Sequence, residues 1–284
     1  MAEYIKDYWK SKIKHTPLPK YSSGNILLDF STFRDNVINN NKKSTFLLID
    51  QLMSGNILIL KNALSQHVTS KIKLNTRKFW LNNEDSFHKM IGGKTPNYHR
   101  AVNEEIAKKY SVKSIRHSAY LFPWNEDFLE VRKEIVHSWN IIKQFIGLDI
   151  NDSDVLFSKE KIDRIHVILY PPKIGCLETH SDPYHNQLTF IGGLLSKRGN
   201  KNEYKEGGFY TLDKNKKQCD LENFIDEGDM IIGMATIKHG VDLIDPGFKE
   251  KINWYGTQGR WFLSLFTNDS DTVKNRITSI PKSK

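Results

Sequence analysis

Short apolar segments separated by polar turns make up the C-terminal half of the chain. Stretches such as Lys197–Lys205 and Lys214–Asp220 are rich in lysine and asparagine, and they interrupt apolar runs of five to nine residues. Runs of this length, rich in branched and aromatic residues, are typical of buried β-strands. The predicted strands are Ile165–Tyr170, Gln187–Leu195, Gly208–Leu212, Asp229–Met234 and Trp261–Thr267.

The N-terminal half mixes helical and strand-like patterns. The first 44 residues are polar and predict mainly loops, with a short strand at Ile26–Phe30. Thr45–Ile49 is apolar and fits either a strand or a short buried helix. Gly55–Leu60 predicts a buried strand, and Ser65 is the predicted N-cap of a helix that continues to about Trp80.

The segment from residue 81 to residue 113 has no clean period, which fits either a loop-rich lid or a surface excursion. Asn103–Tyr110 predicts a short helix, and Ser118–Phe122 predicts a strand that ends at Pro123. A longer helix is predicted from an N-cap at Asn125 to Gly147. Its apolar residues recur at helical spacing and predict one packing face. They are Phe128, Val131, Ile135, Trp139, Ile142 and Ile146.

This order of elements predicts a mainly β core with supporting α-helices, in a β-sandwich or jelly roll. We find no internal repeat and no linker, and we therefore expect a single domain over residues 1–284. Within it, residues 1–150 would supply helical support and early strands, residues 151–270 the jelly-roll core, and residues 271–284 a polar tail.

Composition narrows the class of protein. The net charge is +9, which favours polyanion binding, but the lysines are scattered and form no basic stripe, so nucleic acid is not the favoured partner. No apolar run is long enough to span a membrane, and the N-terminus lacks a signal core. Cys176 and Cys219 are too few for a disulfide framework. We therefore expect a cytoplasmic protein.

The candidate chemistry begins in Tyr170–Asp182, whose sequence is YPPKIGCLETHSD. Residues two apart on a strand point to the same face, so His180 and Asp182 would lie side by side. His239 follows the predicted strand Asp229–Met234 and is the candidate for a second histidine. Two histidines and one carboxylate form the facial triad that binds non-haem Fe(II) and leaves coordination positions open.

A final strand, RWFLSLF, begins at Arg260. By alternation, Arg260, Phe262, Ser264 and Phe266 share one face. An inward-facing arginine is costly unless it meets an anion. Its guanidinium, with a serine hydroxyl nearby, is suited to binding a carboxylate.

Four pieces in this order resemble the catalytic core of the Fe(II)/2-oxoglutarate-dependent dioxygenases: YPPKIGCLETHSD, EGGFYTLD, EGDMIIGMATIKHGV and GRWFLSLF. The resemblance implies a cupin-like double-stranded β-helix, with Fe(II) bound by His180, Asp182 and His239. Arg260, helped by Ser264, would bind the distal carboxylate of 2-oxoglutarate. Tyr170 and Thr189 would add hydrogen bonds to this cosubstrate or simply line the barrel.

The presence of Asp182 bears on the type of reaction. Related halogenases have a small residue at this position, so the resemblance implies hydroxylation or desaturation with O2 rather than chlorination. The expected substrate is a small molecule such as an amino acid or a biosynthetic intermediate, followed by a polypeptide side chain and then a modified nucleobase. A non-catalytic jelly-roll binding module is the alternative from another class.

One departure from the family is the 21-residue step from His239 to Arg260, which is longer than usual. The extra loop would be either a lid or the source of another anion partner, Lys249 or Lys251. His185 and His166 compete for the metal, with His185 more suited to contacting substrate and His166 to a structural place on its strand. A zinc hydrolase would use the same three ligands, but it would leave Arg260 without a function.

Overall fold

The structure, a computed structural model, describes residues 3–148, 160–185, 187–199 and 203–281. The expected boundary near residue 151 lies outside these ranges. The helices are α1 Glu3–His15, α2 Phe30–Ile38, α3 Lys42–Met53, α4 Gln66–Asn82, α5 Glu104–Ala107 and α6 Arg132–Phe145. No helix within the described ranges has both the length and the apolarity needed to cross a lipid bilayer.

The strands fall into two groups by position along the chain. Those of the first half are β1 Gly24–Asp29, β2 Asn56–Lys61, β3 Tyr98–Val102 and β4 Ser114–Leu121. Those of the second half are β5 Lys161–Tyr170, β6 Cys176–Ser181, β7 Thr189–Leu194, β8 Gly208–Leu212, β9 Gln218–Asp220, β10 Met230–Met234, β11 His239–Asp242, β12 Arg260–Asp269 and β13 Ile280–Pro281.

The strands form two facing parts of one curled sheet. The major sheet has the order β1-β2-β10-β7-β12-β5-β4, with β3 paired to β4. The minor sheet has the order β6-β11-β8-β9, with β13 paired to β6. Strand β4 joins the two, because it pairs with β5 and also with β6 through Ser114↔Leu177 and Ile115↔Cys176. This arrangement confirms the predicted mainly β, double-stranded β-helix core.

Helices pack on the outer face of the major sheet, where buried leucine, isoleucine and aromatic side chains form one continuous core. The indole nitrogen of Trp9 on α1 donates to the carbonyl of Phe145 at the end of α6, at 2.8 Å. Helix α3 packs against β2 and α1. Burying this apolar surface supplies most of the stability of such a layer.

Several predicted elements are present with the expected local signals. Strand β2 occupies the predicted place, and the Ser65 hydroxyl accepts from the Val68 amide at the start of α4. The ambiguous segment Thr45–Ile49 is helical and belongs to α3, which Asn41 caps. Asn103 caps the short helix α5.

Other expectations were wrong. The polar N-terminus contains helices α1 and α2, and the irregular segment after residue 81 contains strand β3. Helix α6 begins at Arg132 rather than after Asn125, because Glu130 has a φ of +60°, which a continuous helix excludes. The side-chain amide of Asn125 instead donates to the carbonyl of Thr95.

The long step between His239 and Arg260 consists of β11 and an irregular segment over residues 243–259, which we call the connecting segment. It lies on the outside of the barrel and is held there by hydrogen bonds. The Lys173 amide donates to the Ile244 carbonyl, and Nδ1 of His117 lies 2.6 Å from the Trp254 carbonyl. His117 in turn lies 3.1 Å from His99. The structure describes every residue of the connecting segment, and none of them lines the central cavity, so the segment is not a lid over it in this structure.

Candidate metal and cosubstrate site

Strand pairing brings the three predicted metal ligands together at one end of the barrel. Strands β6 and β11 are antiparallel neighbours, and His239 pairs directly with His180. Asp182 directly follows β6, and its amide is held by the carbonyl of Ala235 at 2.9 Å. One ligand atom from each of the three side chains lies within 4.8 Å of the others, and we call His180, Asp182 and His239 the metal group.

The two imidazoles are oriented by backbone carbonyls. Nδ1 of His180 lies 2.9 Å from the carbonyl of Glu178, and Nδ1 of His239 lies 2.9 Å from that of Ile237. A carbonyl accepts only, so each Nδ1 carries a proton, and in the neutral ring Nε2 is left with the lone pair. These Nε2 atoms lie 3.3 and 3.7 Å from the two Asp182 oxygens. A carbonyl on the outer nitrogen is the usual arrangement of metal-binding histidines.

The protonation states fit this geometry. Burial lowers the pKa of His239 to about 4, so the ring is neutral at pH 7. Burial raises the pKa of Asp182, but its neighbours His180 and His239 outweigh that effect and leave the pKa below its ordinary value. Two imidazoles and one carboxylate converge in a buried place, which is the donor set of a divalent transition metal.

Arg260 has a partner that the sequence did not indicate. Its Nε donates to Oε1 of Glu222 at 2.7 Å, and Nη2 lies 2.7 Å from the same oxygen, with both side chains fully buried. Glu222 also accepts from the Phe209 amide at 2.7 Å and from the Tyr204 hydroxyl. The charge of Arg260 is therefore balanced within the chain.

Arg260 nevertheless keeps donor capacity toward the cavity. Among the described residues, its Nη1 has no hydrogen-bond partner. The guanidinium lies 4.8 Å from the ring centre of Phe262 and 6.0 Å from that of Tyr170. A buried donor without a partner is costly, so this nitrogen fits a carboxylate of a bound molecule.

The other predicted cosubstrate residues differ in their placement. Tyr170 pairs with Arg260 across β5 and β12 and lines the cavity. Ser264 also lines it, four residues further along β12, so its Cα lies about 13 Å from that of Arg260. Thr189 is buried but does not line the cavity; on β7 it is Phe190 that lines the cavity beside the metal group.

The competing residues lie outside the metal group. His185 contacts Asp269, and His166 lies on β5 with its ring stacked on Tyr120. Both line the cavity, but neither belongs to the group of three converging ligands. Lys249 and Lys251 are exposed on the connecting segment and do not reach the cavity.

One cavity of about 480 Å³ connects these features. Its lining includes His180, Asp182, His239 and Arg260. The rest is lined by side chains of β3, β4, β5 and β12, among them Tyr98, Arg116, Tyr120 and Arg164. The aromatic rings of Phe190 and Phe209 pack against His239, with ring centres 4.8 and 5.7 Å away.

Sequence reasoning missed three charged residues of this region. Arg164 shares a face of β5 with His166 and Tyr170, so strict alternation along KIDRIHVILY would have indicated it. Arg116 precedes the predicted strand Ser118–Phe122, whose true start is Ser114. Glu222 follows β9 in a polar stretch, and no local signal distinguishes it from an exposed glutamate.

Solved structures of similar fold are found across most of the chain. A full-length Neurospora crassa protein in complex with alpha-KG is 13% identical with a TM-score of 0.51, over 89% of this chain and 89% of that one. A prolyl hydroxylase from Trichoplax adhaerens, in complex with a hypoxia inducible factor peptide fragment, is 14% identical with a TM-score of 0.51, over 81% of this chain and 91% of that one.

In sequence, no family model matches the chain, and no curated protein matches it. At 13–14% identity, the structural likeness shows a common fold. The chain thus has the fold found in the Neurospora crassa protein and in the prolyl hydroxylase, with its converging histidines and aspartate at one end of the barrel.

Proposed function

We propose that the protein is an Fe(II)- and 2-oxoglutarate-dependent oxygenase that hydroxylates or desaturates a small organic molecule. The observation that carries this proposal is the convergence of His180, Asp182 and His239 within 4.8 Å, with both Nε2 atoms facing the carboxylate. The proposal is supported by the fold, since the Neurospora crassa structure of that fold contains alpha-KG.

His180, Asp182 and His239 would hold the iron and leave coordination positions free for small ligands. When bound, Fe(II) with 2-oxoglutarate and O2 supplies the oxidative chemistry, in which the cosubstrate becomes succinate and CO2 and the substrate loses hydrogen or gains a hydroxyl group. The residues of the chain bind, orient and shield the reactants.

Arg260 and Tyr170 would orient the cosubstrate. Nη1 of Arg260 can donate to a carboxylate, because no described residue accepts from it, and the Tyr170 side chain lies beside it on the neighbouring strand. The rings of Phe190, Phe209 and Phe262 make the surroundings apolar and so exclude water from the reacting atoms. Glu222 holds the guanidinium in position from behind.

The cavity favours a small molecule over a polymer as substrate. Its volume of about 480 Å³ lies within the range of small-ligand pockets. Structures of similar fold contain 5-formyluracil in one case and a peptide fragment in another, so the fold itself accepts several substrate classes. We therefore propose a small molecule, such as an amino acid or a biosynthetic intermediate, as the substrate of this protein.

The test is anaerobic addition of Fe(II) and then 2-oxoglutarate to the purified protein. We expect a metal-to-ligand charge-transfer absorption band in the wild type and none in His180→Ala, because one of three ligands is lost. Succinate formation under air should follow the same pattern. His67→Ala is the matched control, since His67 is exposed on α4 and far in sequence from the ligands.

Two results would contradict the proposal. A wild-type protein that gives no band and no succinate is not an enzyme of this type. Hydrolysis supported by Zn²⁺ and independent of 2-oxoglutarate would instead identify the hydrolase that the same three ligands permit.

A further inference from the structure

One wall of the cavity, formed by strands β4 and β5, carries positive charge without an internal counter-ion among the described residues. Strand alternation places Arg164, His166, Ile168 and Tyr170 of β5 on the cavity face. Across the strand pairs, His166 is opposite Tyr120 on β4, and Arg164 is opposite Phe266 on β12. This wall would be apolar in a simple packed core, yet it contains a guanidinium and an imidazole.

Arg164 has only weak partners within the described chain. Its Nη1 lies 3.4 Å from the sulfur of Met90, and its guanidinium lies over the rings of Tyr120 and Phe266, at 5.4 and 5.7 Å. Its Nε is buried and makes no hydrogen bond to any residue that the structure describes. No carboxylate within the described ranges forms an ion pair with it.

Arg116 approaches the same place from β4. It is partly buried, its Nε donates to the Ser118 hydroxyl at 3.1 Å, and no ion pair to it is found among the residues that the structure describes. Burial raises the pKa of Tyr120, but the charges of Arg116 and Arg164 outweigh this and lower the pKa below its ordinary value. The two guanidiniums therefore flank one phenol.

A third polar group points to the same place. His166 is 6% exposed, its ring is stacked on Tyr120 at 4.4 Å, and its Nε2 has no partner in the described part of the chain. Burial, followed by the charges of Arg164 and Arg116, lowers its pKa well below the ordinary value. A neutral imidazole offers one N–H and one lone pair, so it fits an oxygen ligand beside the two cations.

The carboxylates that line the cavity have other partners. Asp182 belongs to the metal group, Asp269 contacts His185, and Asp271 contacts Arg276 and the Met90 amide. Arg260 differs from Arg164 in just this respect, because Glu222 already balances it. Leaving a buried guanidinium without an anion is unfavourable, so the wall fits a ligand that brings the negative charge.

We propose that Arg116 and Arg164, with His166 and Tyr120, form an anion subsite that binds a carboxylate or phosphate group of the substrate. The substrate class is then a small organic acid or phosphoester, with its acidic end on this wall and its oxidised carbon toward His180, Asp182 and His239. The assignment of the anion to a substrate rests on the proposed function, whereas anion binding itself does not.

The first test is equilibrium dialysis with radiolabelled inorganic phosphate. The protein is kept anaerobic and saturated with Fe(II) and 2-oxoglutarate, so that Arg260 and the metal group are occupied. We expect the wild type to bind one phosphate per chain, and Arg164→Gln and Arg116→Gln each to weaken binding at least about tenfold. The affinity of Arg164→Lys for phosphate should lie between that of the two glutamine variants and that of the wild type.

The matched control is Lys71→Gln, a surface lysine of α4, which should bind phosphate as the wild type does. Thermal unfolding of each variant checks that it is folded. Equal phosphate binding by the wild type and both arginine variants would overturn the subsite. Phosphate binding that disappears when 2-oxoglutarate is saturating would also overturn it, because the anion site would then belong to the cosubstrate.

The second test identifies the source of the anion. Carboxylic acids are compared with their methyl esters, and phosphoesters with their parent alcohols. For each compound, the rate of succinate formation is measured and compared with the rate without substrate. We expect only the charged members to stimulate succinate formation, and Arg164→Gln to abolish that preference, whereas Lys71→Gln should retain it. If the neutral compounds stimulate succinate formation as much as the charged ones, the assignment of an acidic substrate is wrong.

Failure of the proposed function can be distinguished from failure of the subsite. Without iron binding or succinate formation, the oxygenase assignment falls, yet phosphate dialysis of the same protein still reports on Arg116 and Arg164. With iron binding and uncoupled succinate formation intact, a negative phosphate result counts against the subsite alone.

Discussion

At the scale of single residues, the site depends on how each buried charge is balanced. Arg260 and Glu222 are both fully buried and in contact, whereas Arg164 has no ion-pair partner among the described residues. The two arginines occupy the same cavity face of adjacent strands. Arg260 is therefore neutralised within the fold, whereas the counter-charge of Arg164 would come from a bound ligand.

Substitution of Arg260 tests this difference. Arg260→Met leaves the Glu222 carboxylate buried with no counter-charge, and we expect it to lower the free energy of unfolding by about 3–5 kcal/mol. Adding Glu222→Gln should restore most of that loss, because the amide oxygen still accepts from the Phe209 amide. Urea unfolding of the two single variants and the double variant measures the coupling.

Lys71→Met is the control for this cycle. Lys71 pairs with Glu130 at 3.3 Å near the surface, where the two side chains are 36% and 62% exposed. Such a pair contributes about 0–1 kcal/mol. If Arg260→Met lowers the free energy of unfolding no more than Lys71→Met does, the buried Arg260–Glu222 pair does not stabilise the barrel.

The residues of the metal group were the most predictable part of the site, because short motifs contain them. His180, Asp182 and His239 stand in pieces whose spacing is restrictive, and pairing of β6 with β11 brings them together. Glu222 was not predictable, since its role comes from a contact with Arg260 across 38 residues of chain. Long-range electrostatic pairing leaves no local pattern in a sequence.

At the scale of elements, predictability followed the strength of local signals. Helix α4 has a capping serine and β2 has a continuous branched run, so both were predicted. Strand β3 was missed, because YHRAV contains polar residues and is ordered by its pairing with β4. Helix α6 was placed several residues too early, because the polar signal at Asn125 is real but serves the preceding loop.

Strand β4 also fastens the connecting segment through a pair of histidines. Nε2 of His99 lies 2.9 Å from the Asn83 carbonyl, the two rings are in contact, and Nδ1 of His117 lies 2.6 Å from the Trp254 carbonyl. The ring of His117 is stacked on Trp80. Burial lowers the pKa of His117 to about 4.

This shift predicts a pH dependence of stability. In the unfolded chain His117 has a pKa near 6.5, so between pH 6.5 and 4 the unfolded state binds more protons than the folded state. The contribution of this group is therefore fully present above pH 6.5 and is lost as the pH falls toward 4, by about 1.4 kcal/mol per pH unit.

The measurement is urea unfolding of the metal-free protein between about pH 7 and pH 5, the range in which the linkage acts. His117→Asn removes this titration, so its free energy of unfolding should depend less steeply on pH than that of the wild type. His67→Asn, at an exposed position of α4, is the control for the effect of a histidine substitution itself. Parallel pH slopes for the wild type and His117→Asn would contradict the prediction.

At the scale of the whole molecule, the proposed ligands connect the two sheets. The metal group belongs to the minor sheet and the residue that follows β6, while Arg260 and Tyr170 belong to the major sheet. A cosubstrate that contacts both would bind only the closed, folded barrel. Any such ligand stabilises the folded state by mass action.

Metal and cosubstrate together should therefore raise the melting temperature. At a concentration about one hundred times its dissociation constant, a ligand adds about 2.7 kcal/mol, which corresponds to about 4–5 °C for a chain of this size. Mn²⁺ with 2-oxoglutarate under nitrogen is the probe, and excess chelator should reverse the shift. Asp182→Ala should show no shift; an equal shift in this variant would place the metal elsewhere.

Strand β4 has one more consequence, which concerns the length of the molecule that is oxidised. Strand β4 is hydrogen-bonded to β5 on one side and to β6 on the other. These backbone hydrogen bonds therefore fix the distance from Arg116 and Arg164 to the metal group. A substrate held by its acidic end would present the carbon atom that this spacing reaches. The barrel would then select substrates by length. Within a homologous series of acids, one chain length would be oxidised fastest, and the oxidised carbon would lie at a fixed number of bonds from the acid group.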